Sequence, residues 1–368
     1  MKIGINLIQY TDRQGIEVFA QNLIEHLIVA PGDEVILFTN QWSQSLIDQR
    51  PAAVRVINHD FKKLTRLALI IYQQWRLPRL LRAEKIDVLF CPSLALPLFY
   101  RKKVVTIHDL AFWRFREESR FWSRLFLYPA IWSAKHFSLA IVTVSEFAKQ
   151  EISRLLRIDS DKISNISEGV PVQYRLNPSK PATAPQPTAK PYFLYLGNMY
   201  PRKNLAGLIM AFKIFSARRP AYSLIIAGKQ NSLMPALERL IQELKLDRQV
   251  RFTGFIPEED KGALIQQAVA LVLVSRYEGF GLPVLEAQSL GVPVLAARAA
   301  SLPEVAGDAA ILVDPEDIAA IATGLAKLAD DQALRLDLIE RGYENVKRYS
   351  WNDSADRLYR ICQQCFKL

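Results

Sequence analysis

Residues 270–297 read ALVLVSRYEGFGLPVLEAQSLGVPVLAA. The first six are apolar and β-rich, which predicts a buried parallel strand. Glu278-Gly279-Phe280-Gly281 breaks the run, since two glycines around an aromatic let the backbone turn sharply and approach a ligand. Pro283 suits a first helical turn, where no amide partner is needed. Gly291 suits the position just past a helix end, and residues 292–297 read as the next strand. Strand, glycine turn, helix and strand in that order set a helix N-terminus at a strand's carboxyl end, the edge where open α/β sheets bind ligands. The amides of Gly281 and Leu282 suit a phosphate there, aided by the helix dipole. Glu278 stands before the turn and Glu286 about one helical turn inside. This pair fits two roles. The carboxylates accept from hydroxyls of a sugar and a ribose, or one caps the turn and the other is favoured by the dipole.

Working outward, the same grammar recurs. Residues 192–196 form a strand that runs into Gly197-Asn198-Met199-Tyr200-Pro201-Arg202-Lys203-Asn204, and an apolar-faced helix follows with Leu205, Leu208, Ile209, Phe212 and Phe215. Two cations at such a loop suit a diphosphate: lysine as a point charge, arginine as a fork holding two oxygens. Solvated surface cations are the plainer alternative. Strands are also expected at 222–227, at 250–253 before Gly254-Phe255-Ile256, and at 311–313. Before this half lies a Pro/Ala-rich linker at 177–191 without helical or strand period.

The first half alternates in the same way, with strands near 2–7, 35–38, 54–57, 88–90, 104–107, 139–144 and 163–166. Gly15 opens an amphipathic helix. His108 and Asp109 follow the strand at 104–107 and so stand at its carboxyl end; a histidine merely capping the strand is the bland alternative. Asp109 either orients the imidazole or caps the next segment. Ser145 is a predicted helix N-cap. Asp159-Ser160-Asp161 resembles a metal-binding string but lies between a helix and a strand, and we take it as turn chemistry. Alternation in both halves predicts an α/β chain of two doubly wound, Rossmann-like domains with a cleft between them. The divisions expected are 1–176, a linker at 177–191, 192–349, and a terminal helix at 350–368.

Composition agrees with a globular chain: 368 residues, half of them hydrophobic. No apolar run is long enough to span a bilayer, and MKIGINLI reads as a strand rather than a secretory signal. Cys91, Cys362 and Cys365 are too few for a disulfide framework, and with four histidines a zinc site is not expected. A reducing cytoplasm is the expected compartment. The net charge is +10 and uneven: residues 1–176 hold 24 Lys+Arg against 17 Asp+Glu. Residues 61–84 carry Lys62, Lys63, Arg66, Arg76, Arg79 and Arg82 among Leu64, Leu67, Ile71 and Trp75. Arg101, Lys102 and Lys103 follow Phe99-Tyr100, and Arg114, Arg116, Arg120 and Arg124 interleave with the aromatics of 112–132. Such segments suit an anionic membrane surface, with a solvated basic face as the alternative. No nucleic-acid-binding motif is present, so nucleic acid is not an expected partner.

Glu278 and Glu286, with GFGLP between them, resemble the E-x7-E motif of the retaining, GT-B-type glycosyltransferases of family 4, and the resemblance covers nearly the whole chain. THIS extends to TIHDLAF (106–112), similar to mannosyltransferase-like members, VSEFAKQEI (144–152) and PRKN (201–204). Departures are the single Gly15 where relatives carry two glycines, Asn198 where many carry arginine, and Glu168-Gly169-Val170 where Asn-Gly-Val is usual. The resemblance implies a GT-B fold with 1–176 as the acceptor-binding domain, 192–349 as the nucleotide-sugar-binding domain and the helix at 350–368 returning to the first. It also implies transfer of a sugar, with retention, from a nucleotide-diphosphate donor to a hydroxyl of a glycan or lipid-linked acceptor. GDP-mannose is mildly favoured as donor. It further implies His108, Glu278 and Lys203 as catalytic residues. The implied donor-binding set is Gly15, Arg202, Lys203, Ile256, Glu278, Phe280, Gly281, Leu282 and Glu286. No metal or other cofactor is expected, because the cations and helix amides meet the leaving charge. Polysaccharide or glycolipid biosynthesis is the implied setting, in the cytoplasm with peripheral attachment at the inner membrane face. A sugar-nucleotide epimerase of the same fold and a non-catalytic nucleotide-sugar-binding protein are the alternatives.

Overall fold

Runs such as Val88–Cys91, Ala140–Thr143, Ala270–Leu273 and Val294–Ala297 are apolar at nearly every position, as strands covered on both faces require. They assemble into two sheets in which every strand pair is parallel. The computed structural model describes residues 1–8, 15–40, 54–59, 61, 65–115, 118, 121–171, 174 and 190–367. Gln14, Lys62, Lys63, Leu64, Arg116, Arg120 and the linker at 177–189 lie outside the described residues, as do the side chains of Arg66 and Arg124.

The first sheet contains β1 (Lys2–Asn6), β2 (Glu34–Asn40), β3 (Val54–His59), β4 (Val88–Cys91), β5 (Lys103–Thr106), β6 (Ala140–Thr143) and β7 (Ile163–Asn165). Its order is β3-β2-β1-β4-β5-β6-β7. The second contains β8 (Tyr192–Leu196), β9 (Ser223–Ala227), β10 (Val250–Gly254), β11 (Ala270–Leu273), β12 (Val294–Ala297) and β13 (Ile311–Val313), in the order β10-β9-β8-β11-β12-β13. Both are doubly wound. The direction of winding reverses between β1 and β4 in one sheet and between β8 and β11 in the other, and such switch points open crevices at the strands' carboxyl ends.

Contacts group residues 1–168 with 350–368, and 169–349 as a second unit. The division falls ahead of the expected 176/177 because Tyr174 packs against Gly262 and bonds Glu258. The terminal helix Trp351–Phe366 buries Trp351, Ala355, Leu358, Tyr359 and Cys362, one amphipathic stripe. Trp351 meets Phe19 edge-on at 5.9 Å, and the Tyr359 hydroxyl accepts from the Ala30 amide at 2.9 Å and donates to Asp33.

Within residues 61–84, whose period suggests a single regular helix, the described stretch 66–83 departs from one. Helices Arg66–Ile71 and Leu77–Ala83 flank a wider π turn, Tyr72–Arg76, in which the Leu77 amide bonds the Tyr72 carbonyl. Pro78 supplies the cause: it has no N–H for the carbonyl four residues back, and its ring crowds that carbonyl, which a wider turn relieves. Ser145 caps its helix through the Ala148 amide, and Asp159 accepts from the Asp161 amide in a local turn. Among the described residues, no helix is long and apolar enough to cross a membrane.

Candidate functional site

The switch point of the second sheet gathers most of the residues singled out above. After β8 the chain passes Gly197, whose carbonyl lies where a Cβ on Gly228 would fall, 2.0 Å away, so only glycine fits there. A short 3-10 turn, Pro201–Lys203, follows; Asn204 then adopts left-handed geometry (φ 58°), tied by its side chain to the Pro315 carbonyl at 2.6 Å. That turn aims Lys203 at the loop after β11. Its ammonium bonds both Glu278 oxygens, at 2.6 and 2.5 Å, with both side chains largely buried. The Ser275 hydroxyl donates to Glu278 Oε1 at 2.8 Å.

The turn holding Glu278 is pinned from outside. Ser301, fully buried, bridges the Glu278 and Phe280 carbonyls at 2.9 and 2.7 Å. Gly281 carries φ 108°, and a Cβ there would fall 2.7 Å from Leu302, so a side chain is refused by both backbone and space. Helix Leu282–Ser289 starts here with Pro283, which has no N–H, in its first turn; the Val284 amide bonds the Gly281 carbonyl at 2.9 Å, so the Leu282 amide is the one of the first turn that lies ahead of the helix's own ladder. The Phe280 ring turns inward, edge-on to Tyr349 at 5.7 Å, so this residue presents backbone rather than ring.

Glu286 faces a different set. Its carboxylate, 2 % exposed, takes a bond from Lys261 Nζ at 2.8 Å; Lys261 also lies 3.2 Å from Glu258 and 5.1 Å from the Tyr174 ring centre. Burial raises the Glu286 carboxyl above its ordinary pKa, opposed by Lys261. Burial also works against the Lys261 ammonium, but the Glu286 and Glu258 carboxylates outweigh it and hold its pKa up. Tyr174 is raised by burial first, then by those two carboxylates.

Arg202 lies over the Tyr200 ring at 4.8 Å, and its carbonyl accepts from the Arg276 amide at 2.7 Å. Ile256 is half-buried just beyond β10. In this unit the structure thus brings Lys203 to Glu278, and Lys261 to Glu286. Lys261, Ser275, Ser301 and Tyr174 escaped the sequence reading. A cation four residues after Pro257 on a helix with three acids in its first turn was the available signal for Lys261.

In the first unit, His108 follows β5. Its Nε2 lies 2.9 Å from the Pro92 carbonyl, which can only accept, so Nε2 carries hydrogen and the neutral ring keeps Nδ1 as acceptor. Burial lowers its pKa; the Pro92 carbonyl and Asp109 oppose this. Phe19 meets the ring edge-on at 4.7 Å. Asp109 caps the following segment through the Ala111 amide at 2.9 Å. Gly15 begins helix Gly15–Glu25 exposed, with nothing within 4 Å of an added Cβ. Among the described residues no three His, Cys, Asp or Glu gather as metal ligands would.

Residues 178–345 match the family described as glycosyl transferases group 1, and residues 13–174 match glycosyltransferase family 4. The chain is 32% identical over 370 residues to O-antigen chain mannosyltransferase B of Escherichia coli, spanning 92% of this chain and 93% of that protein. Among solved structures, Anabaena Alr3699/HepE in complex with UDP and glucose superposes with a TM-score of 0.75 at 16% identity, covering 99% of this chain and all of that one. WaaG, a glycosyltransferase of lipopolysaccharide biosynthesis, gives 0.73 at 16% identity over 98% and 99% of the two chains. At these identities the likeness to the solved structures establishes the GT-B fold alone.

Proposed function

The chain belongs to the group 1, family 4 glycosyltransferases, and from that premise we propose that it moves mannose from GDP-mannose to a hydroxyl of a glycan or lipid-linked acceptor, with retention, in the building of a surface polysaccharide. Support for mannose and for this setting comes from the full-length likeness to an O-antigen chain mannosyltransferase. The observation that carries the donor site is the convergence of Lys203, Glu278 and the helix amides at the β8/β11 switch point, with Glu286 one turn further in.

In the proposed reaction the bond from the sugar's anomeric carbon to the diphosphate breaks as a bond to the acceptor oxygen forms. Negative charge grows on the leaving diphosphate, and the hydroxyl proton passes from the acceptor oxygen to that diphosphate. Lys203, Arg202 and the amides of Gly281 and Leu282 oppose that charge, so no metal is required. Glu278 takes the sugar hydroxyls and Glu286 the ribose hydroxyls; Ile256 backs the base, and Gly15 belongs to the loop beside the phosphates. His108 supports the sugar near its reacting carbon. The basic, aromatic face of the first unit rests on anionic membrane from the cytoplasmic side.

A thermal-shift panel of nucleotide sugars tests the donor. A ligand at a hundred times its Kd stabilises by about 2.7 kcal/mol, so GDP-mannose should raise the melting temperature more than UDP- or ADP-sugars do. A larger rise with a UDP-sugar would reassign the donor.

A further inference from the structure

Strands β4 and β5 are parallel neighbours, so the chain must return from the end of one to the start of the other. Such a crossover is usually a helix, which bonds its own backbone. Residues 92–102 contain no helix and make the return as irregular chain, with Pro92, Leu96 and Pro97 buried. Buried carbonyls on such a segment need donors from elsewhere, because folded proteins leave few of them unpaired.

Side chains supply those donors at three stations. At the start, His108 Nε2 lies 2.9 Å from the Pro92 carbonyl. In the middle, Asn6 donates to the Ala95 carbonyl at 3.0 Å. Gln74 donates to the Leu96 carbonyl at 3.1 Å and accepts from the Leu98 amide at 2.8 Å. At the end stands Lys103, which is 0 % exposed. Its ammonium donates to the carbonyls of Pro97, Leu98 and Tyr100 at 3.0, 3.0 and 2.6 Å, and to Ser133 Oγ at 3.0 Å. The Ser133 hydroxyl in turn donates to the Leu98 carbonyl.

A lysine is seldom wholly buried. Burial lowers the pKa of this one to about 8; Cys91 opposes the fall and Lys162 adds to it. At pH 7 the group is still an ammonium, with three protons for four acceptors. Methionine in its place fills a similar volume and takes the ammonium away from all three carbonyls, which are costly to leave unmet. The segment has no hydrogen-bond ladder of its own, so its course follows the side chains that clamp it. At its far end the Pro92 carbonyl decides which nitrogen of His108 carries hydrogen, since a carbonyl can only accept.

We propose that Lys103 and Gln74 are positioning residues for His108: by clamping the helix-free crossover they hold the Pro92 carbonyl against Nε2 and so keep Nδ1 as the acceptor. That His108 bears on turnover rests on the proposed role beside the sugar. That Lys103 and Gln74 set its tautomer does not, and it is tested without any donor.

The test uses the full chain with isotope-labelled histidine nitrogens, read by NMR at pH 7, with the His108 signals assigned by their absence from His108→Gln. Burial lowers the His108 pKa, so the wild type should show a neutral ring with hydrogen on Nε2 alone. Lys103→Met and Gln74→Met should each bring in the tautomer with hydrogen on Nδ1. GDP should bind the wild type and both variants with one Kd, because Lys203, Glu278 and Glu286 belong to the second unit. At saturating donor, kcat for sugar transfer should fall about tenfold or more in each variant, since a misplacement of about 1 Å can cost about a hundredfold. A wild-type His108 spectrum in the folded variants overturns the proposal. An altered spectrum with wild-type kcat upholds it and removes His108 from the chemistry. If Lys103→Met does not fold, Gln74→Met, at a half-buried position, decides alone.

Discussion

Replacing Lys261 with methionine removes the cation beside a carboxylate that is 2 % exposed, while the lysine side chain itself is 20 % exposed. Breaking a buried pair from one side costs about 3–5 kcal/mol, because the remaining charge is left without compensation. Lys261 keeps some contact with solvent, which favours the lower end, about 3 kcal/mol. For a unit of this size that is a fall in melting temperature of about 6–12 °C. The loss has a definite pH dependence. Burial already raises the Glu286 pKa, and Lys261 opposes it; without Lys261 the folded-state value climbs further. The folded variant then holds a proton that the unfolded chain has released, so its stability falls as pH rises from the unfolded value of 4.5 through the raised one. The deficit should therefore be largest near pH 8 and shrink towards pH 5. Glu286→Gln in the same chain removes the stranded charge, so the double variant should be more stable than Lys261→Met alone. Thermal melts of the four proteins at pH 5, 6.5 and 8 check both points. An equal deficit at all three pH values, with the double variant no more stable than the sum of the singles, would refute the reasoning.

Four further outcomes are expected. Glu286→Ala should weaken GDP binding tenfold or more, since a hydrogen bond to a charged group is worth about 1.5–3 kcal/mol; an unchanged Kd would remove Glu286 from the ribose. Lys203→Ala should lower kcat by about a hundredfold or more, read at saturating donor on protein shown by melting to be folded; wild-type turnover would leave Lys203 a structural partner of Glu278. Sugar transfer should survive excess EDTA, and loss of turnover restored by Mg²⁺ or Mn²⁺ would show a metal-dependent mechanism. The chain should co-sediment with anionic vesicles at low salt and less at high salt, each interfacial cation contributing about 1 kcal/mol; equal recovery in the supernatant with anionic and neutral vesicles would leave the basic face solvated.

Features with short-range causes were legible in the sequence. The strand–turn–helix at 270–289, the Ser145 cap and the Asp159 turn each depend on residues within a few positions, and the structure contains them. Alternation and the right-handed parallel crossover lead to the doubly wound class but leave the strand order open. What could not be read depends on distant partners. Lys203 and Glu278 stand 75 residues apart, and Lys261 and Glu286 stand 25 apart on separate helices. Neither spacing follows from a helical or strand period. Pro78 was visible, but whether it would end a helix or widen one depended on what packed beneath Tyr72, which is buried against His59 and Phe61. The inward turn of Phe280 was equally hidden, since it is set by Tyr349, 69 positions along.

The two lysine–glutamate pairs carry a consequence for how a donor is chosen. A buried carboxylate accepts hydroxyl bonds best when ionised, and ionisation in a buried place needs a nearby cation. Lys203 bonds Glu278, and Lys261 bonds Glu286 and opposes the rise that burial gives its pKa. On the proposed donor roles, an arriving diphosphate draws on Lys203 and weakens its hold on Glu278. The sugar attached to that diphosphate brings hydroxyls to the same carboxylate, and Ser275 keeps one of its oxygens occupied. One set of charge-assisted bonds is exchanged for another, with little net desolvation. A free nucleoside diphosphate draws on Lys203 and offers Glu278 nothing, while a free sugar reaches Glu278 with its oxygens already held by Lys203. Each fragment leaves part of the exchange unmade, so the intact nucleotide sugar gains more than its pieces. Glu286 stands outside this exchange, since its own lysine comes from another helix. On the proposed role of Glu286, the ribose would anchor the donor whether or not the sugar is still attached.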